Sequence, residues 1–123
     1  MRRTTILLAV SLLSIGAGCE KFPGNIGFEN RTDRGIWVDR VDGFERRPPV
    51  GTLKDGRADS MLGQMAFPEE ITIHWSYENY KADQTSKVSL KDIGIPKGDN
   101  EFLLFEFTDK EQWKVSVDKY KYK

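Results

Sequence analysis

From Ile26 onward, apolar residues return at every second position, and that spacing decides which element the chain can bury. A strand sends successive side chains to opposite faces, whereas a helix repeats every 3.6 residues. Ile71, Ile73, Trp75 and Tyr77 share one face, with Thr72, His74 and Ser76 on the other. Val88 and Leu90 alternate with Ser89 and Lys91, and Trp113, Val115 and Val117 with Lys114, Ser116 and Asp118. Leu103, Phe105 and Phe107 alternate with Phe102, Leu104 and Glu106; a strand apolar on both sides near its start belongs in the middle of a sheet. Strict alternation also puts Ile36 and Val38 on one face and Trp37, Asp39 and Val41 on the other. No segment shows a capped helical period.

Turn chemistry separates these runs: Asp42-Gly43, Asp55-Gly56, Pro96-Lys97-Gly98-Asp99-Asn100 and Thr108-Asp109-Lys110-Glu111. Short strands punctuated this way predict an all-β fold, an antiparallel β-sandwich of about six or seven strands. Trp75 is expected on the inner face with Ile71 and Ile73, opposed by Phe105 or Trp113 of the other sheet.

The chain's 123 residues suffice for one domain. Seven Phe, three Trp and four Tyr exclude a disordered chain. Lys plus Arg and Asp plus Glu both number 19, so nothing drives the chain toward nucleic acid phosphates. One His and one Cys exclude an intramolecular disulfide and a Cys/His zinc site within the chain.

Met1-Arg2-Arg3 is a basic start, Thr4 to Ile15 an uncharged and largely apolar run, and Gly16-Ala17-Gly18 leads into Cys19. The run falls short of the roughly 20 residues that span a bilayer, so residues 1–18 read as a signal peptide. The segment resembles a bacterial lipoprotein signal, in which the cysteine thiol is acylated and the chain is cut just before it. Gly16 stands where that pattern has Leu. The competing account makes Cys19 an ordinary residue near a general signal-peptidase cut, and leaves a lone exported thiol that lipidation would remove. Cys19 is thus the expected lipidation site and the membrane the expected partner. Loss of Arg2 and Arg3 with the leader leaves the mature chain two charges negative. Glu20 is not the Asp linked to inner-membrane retention, so an outer membrane facing the periplasm is favoured in a cell with two membranes.

Residues 19–27, with Pro23, Gly24 and Gly27, read as the lipidated cysteine and a short tether, and 28–123 as the sandwich. The least regular stretch, 45–66, predicts a long surface loop interrupted by a short strand near Val50 to Leu53. Phe44, Arg46, Arg47, Lys54, Arg57, Met61 and Met65 mix cations with soft apolar groups there, and are the candidate partner-binding residues. The alternative is that Met61, Leu62 and Met65 cover a sandwich edge. The terminal Lys119-Tyr120-Lys121-Tyr122-Lys123 reads as a basic sheet edge that blocks strand addition.

Catalytic chemistry finds no foothold in these patterns. His74 falls on the polar face with no partner evident, and a general base needs one. No serine sits in a Gly-x-Ser-x-Gly elbow, and neither a phosphate loop nor a dinucleotide fingerprint is present. Asp39, Asp42 and Glu45 lack calcium-loop spacing and read as a solvated turn; Glu69-Glu70 reads as two side chains diverging into solvent. No catalytic residue, metal ligand or cofactor is expected.

Gly27-Phe28-Glu29-Asn30-Arg31-Thr32-Asp33-Arg34-Gly35-Ile36, then Val41-Asp42-Gly43, Phe67-Pro68 and Ile71-Thr72-Ile73-His74-Trp75, resemble a family of small bacterial lipoproteins of unknown function over about residues 27–107. In that family an aromatic-x-Asn-x-Thr-Asp opening precedes a strand and a Val-Asn-Gly turn. Here Asp42 replaces that Asn, and the cysteines often found before the Pro are absent. Members are often encoded beside lipase effectors of the type VI secretion system. The resemblance therefore implies an immunity protein that binds and neutralises a toxin. A structural envelope lipoprotein without a toxin partner is the alternative, and a carboxylate-dependent hydrolase the more distant one.

Overall fold

The computed structural model describes residues 20–54 and 56–120. The leader, Cys19 and the last three residues of the basic tail lie outside them. Ten strands follow in order: β1 (Lys21–Phe22), β2 (Asn25–Asn30), β3 (Ile36–Asp42), β4 (Gly51–Leu53), β5 (Gly56–Met61), β6 (Met65–Ala66), β7 (Glu70–Tyr77), β8 (Tyr80–Ser89), β9 (Glu101–Phe107) and β10 (Trp113–Lys119). The fold is all-β, with no helix among the described residues. One sheet runs β10-β9-β2-β5 and the other β4-β3-β7-β8, while β1 and β6 form a two-stranded ribbon. β9 is central, as its two apolar faces predict.

The strand count exceeds six or seven because two segments are more regular than their composition suggests. The stretch 45–66 supplies β4, β5 and β6. The expected tether is no tether: Lys21 pairs with Ala66, Phe22 with Met65, and β2 is a full partner of β5 and β9. Phe22 and Ile26 are buried, so burial holds this stretch extended despite Pro23, Gly24 and Gly27. The folded domain thus begins by residue 21 rather than 28. One pairing is also parallel: β2 lies alongside β9, with Ile26 opposite Leu103 and Phe28 opposite Phe105.

Ile26, Phe28, Leu103, Phe105 and Phe107 of the first sheet enclose the core with Ile36, Val38, Val41, Ile71, Ile73 and Trp75 of the second. Phe28 stacks on Phe105 with centroids 5.0 Å apart. Trp75 is on the inner face, but its ring meets Phe107 at 4.6 Å, one pleat beyond the expected Phe105. Phe107 in turn lies 5.1 Å from Trp113, the other expected partner. The Trp75 Nε1–H donates to Ser86 Oγ at 2.9 Å, which satisfies the indole inside the core.

β3 departs from strict alternation. Its register with β7 runs Val38 to Trp75 and then Arg40 to His74, so Asp39 is an extra residue at a bulge. The bulge returns Val41 to the inner face opposite Ile73, where it is fully buried, instead of leaving it beside Trp37.

The sandwich has two distinct ends. At the end where β1 enters, Phe22 packs edge-on against Phe67 at 5.4 Å. At the other end, Asn30 ties the turns together. Its Nδ2 donates to the carbonyls of Arg34 at 2.7 Å and Leu53 at 2.9 Å, and its Oδ1 accepts from Thr32 N at 2.9 Å and Thr32 Oγ1 at 2.7 Å. The Asn-x-Thr of the family resemblance therefore has a structural role here: it satisfies a buried amide and joins the β2–β3 and β4–β5 connections.

Candidate functional site

The seven expected partner-binding residues do not form one surface. Phe44 and Met65 belong to the core. Gly43 holds φ at +122°, and a Cβ there would meet the Glu70 carbonyl at 2.8 Å, so only glycine allows this turn over the β7 backbone. The turn delivers Phe44 inward, 6.4 Å from Phe105 and 6.1 Å from Phe22. Met65 is drawn in by its pairing with Phe22. Arg46 donates to the carbonyls of Leu62, Gly63 and Gln64, so it braces the loop before β6. Glu45 accepts the Ala66 N–H. Arg57 lies on the outer face of the first sheet, Arg47 near the second, and Lys54 in the turn after β4. Met61 is 74% exposed at the end of edge strand β5.

The outer face of the first sheet is largely self-covered. Phe102 is buried there beneath Tyr120, stacked at 4.5 Å, and beneath the Arg57 guanidinium 4.8 Å from its centroid. Gly27 makes room for this: a Cβ would lie 3.3 Å from the Phe102 ring and 2.7 Å from Asp59 Oδ1. Arg57 pairs with Asp59 at 2.9 Å, and Arg31 with Glu29 at 2.6 Å and Glu106 at 3.3 Å. The hydrogen bond to Glu29, then the charge of Glu106, raises the Arg31 pKa further.

The outer face of the second sheet carries a charged cluster and an uncovered aromatic ring. Asp42 is the centre of the cluster. Its Oδ2 accepts from Arg40 Nε at 3.0 Å and lies 3.0 Å from His74 Nε2, while Arg47 approaches Oδ1 at 3.2 Å. Arg47 is off hydrogen-bond geometry, so charge alone holds Oδ1. The Arg40 hydrogen bond, against a smaller opposing effect of burial, holds the Asp42 carboxyl below the usual aspartate range; His74 and the charge of Arg47 assist. The expected solvated turn is therefore an ion-pair cluster at Asp42, and His74 has the partner that the sequence did not reveal. A His–Asp pair resembles part of a catalytic relay, but no Ser, Thr or Cys hydrogen-bonds His74 among the described residues. Two arginines also compete for the same carboxylate. The arrangement suits a fixed charge pattern better than proton transfer. Among the described residues no group of three or more His, Cys, Asp and Glu could hold a metal ion.

Trp37 lies a few residues along β3 and is 46% exposed. Its cross-strand neighbours are Thr52 and Ser76, too small to cover an indole. It floors a groove of about 410 Å³ walled by Ser76, Tyr77, Glu78 and Asp83. The Glu78 carboxylate packs over Gly35, where a Cβ would approach it to 2.7 Å. Neither Glu78 nor Asp83 has an ion-pair partner among the described residues. Tyr77 closes one side: Arg34 lies 3.5 Å over its ring, and its hydroxyl donates to Glu111 at 2.7 Å. Burial, then that hydrogen bond, pushes the phenol pKa up.

Trp37 was absent from the expected binding residues although alternation places it on the polar face. That placement was the available signal, since a tryptophan among hydroxyls and charges has no packing role to explain it. Compared with family models, with curated proteins and with solved structures, the chain matches none.

Proposed function

We propose that this chain is a lipid-anchored, non-catalytic binding module of a bacterial envelope, anchored at Cys19 and, in a cell with two membranes, facing the periplasm from the outer one. It grips a protein partner with the outer face of its second sheet. The observation that carries this reading is Trp37, an exposed indole flooring a groove beside two carboxylates that lack ion pairs among the described residues. Aromatic residues of this kind dominate binding energy where a partner completes their desolvation. Neutralisation of a toxin is the sharpest form of the proposal, and it follows from the family resemblance.

The test pairs this protein with the product of the neighbouring gene. A stable complex, and protection of cells that express the toxin in the periplasm, support the reading. Trp37→Ala should weaken the complex by roughly 30-fold or more, the scale of a hot-spot residue at about 2 kcal/mol. An adjacent gene whose product neither binds nor harms cells would leave a structural envelope lipoprotein. Mass spectrometry of the mature N-terminus tests the anchor separately: a diacylglyceryl-modified Cys19 is expected, and Cys19→Ala should release a folded domain from membranes.

A further inference from the structure

We propose that the domain does not swing on its anchor but sits against the bilayer by the end where its chain enters, with Phe67, Ile93 and Ile95 at the headgroup boundary. This rests on the reading of Cys19 as the lipidated residue. Lys21 is already paired with Ala66, and the Phe67 N–H donates to the Glu20 carbonyl at 2.7 Å. Glu20 is thus part of the fold. From Cys19 to Lys21 the backbone spans at most about 7 Å. The acylated residue must then lie within that distance of Lys21, beside the surface that surrounds Glu20.

That surface is suited to a bilayer. Glu20 borders a depression of about 190 Å³, lined mainly by Phe67, Pro68, Leu90, Ile93 and Ile95. Phe67, Ile93 and Ile95 are only half-buried in the isolated domain, and no other part of the described chain covers what remains exposed. Lys91 lies on the same rim and Lys97 just beyond it, both exposed, where flexible ammonium groups can meet lipid phosphates while their stems lie along apolar surface. Glu20 and Glu69 are exposed at this rim too, so the contact is shallow and the carboxylates stay in the hydrated headgroup layer. An apolar contact one residue from a covalent anchor needs little affinity of its own, because the anchor supplies a high local concentration. The geometry also points the binding groove outward. Trp37 pairs with Ser76 near the end of β7, whereas Glu70, at its start, lies beside the Glu69–Leu90 contact of the seated end.

Spin labelling tests this on the lipidated protein in vesicles of phosphatidylethanolamine and phosphatidylglycerol. Acylation blocks the Cys19 thiol, so one introduced cysteine takes the nitroxide alone. Ile93→Cys and Ile95→Cys should each show an oxygen-to-nickel-chelate accessibility ratio severalfold above that of Asp109→Cys, on the hairpin at the opposite end. The excess should vanish when the same labels are placed in the Cys19→Ala domain in solution, which separates bilayer contact from burial in the protein. Ratios at 93 and 95 equal to that at 109, in protein that floats with the vesicles, overturn the seat and leave the anchor standing. A reactive Cys19 thiol in the unsubstituted protein overturns both.

Discussion

The two sheets share one core yet present opposite outer faces. On the first, Phe102 is roofed by Tyr120 and Arg57, Gly27 gives it room, and Arg57 and Arg31 pair with neighbouring carboxylates. On the second, Trp37 stands between Thr52 and Ser76 with nothing large enough to cover it. The same alternation that builds both inner faces thus leaves the large ring of one outer face roofed and that of the other open. An indole that floors a groove offers a partner apolar area to desolvate, and the proposed binding role rests on it.

Five changes test that contrast. The shared interior sets the scale: Trp75→Ala should lower stability by about 3–5 kcal/mol in a urea melt, since it empties the centre of both sheets. Phe102→Ala on the covered face should cost about 3 kcal/mol, close to a core residue. Trp37→Ala should cost about 0.5 kcal/mol or less, although it removes a larger side chain, because the ring is half in water already. Equal losses at 102 and 37 would show that both faces are packed and remove the case for the groove.

The last pair concerns charge. The Asp42 carboxyl is held below its ordinary value, about 3.8, so its contribution is fully present above that pH. It should fade as pH falls through the lower, folded-state value, because the unfolded chain then binds more protons. Asp42→Asn should accordingly flatten part of the acid limb of a stability–pH curve and leave the neutral region nearly unchanged in slope. His74→Ala should also change stability by only about 0.5 kcal/mol or less, as a partly exposed ion-pair partner. A larger loss at His74 than at Trp75 would invert the register assigned to β7.

Much of the fold was legible because alternation is a local signal. The inner faces of β7, β9 and β10, and the central place of β9, follow from residue order alone. Val41 was misplaced because a bulge at Asp39 leaves no mark in the hydrophobic pattern. Residues 20–27 were misread because glycine and proline signal flexibility, while Phe22 and Ile26 are held by strands distant in sequence. Phe44 and Met65 lie inside the core for a related reason. They are soft apolar residues in an irregular segment, and only the tertiary fold says that they turn inward. Asp42 and His74 are far apart in the chain, and the β3–β7 register that joins them is not written in either strand.

The parallel pairing of β2 with β9 has a consequence for how the molecule comes into being. β2 is the first full strand to leave a ribosome or a translocation channel, yet the strand beside Ile26 and Phe28 is built from Leu103 to Phe107. Its other neighbour, β5, arrives earlier but offers only an edge. The first sheet cannot close until almost the whole chain is available, so the folding nucleus must bridge a long loop and its entropy. A chain of this topology closes its first sheet only late in synthesis or threading. The β7–β8 hairpin, whose contacts are close in sequence, is the part able to form before that closure.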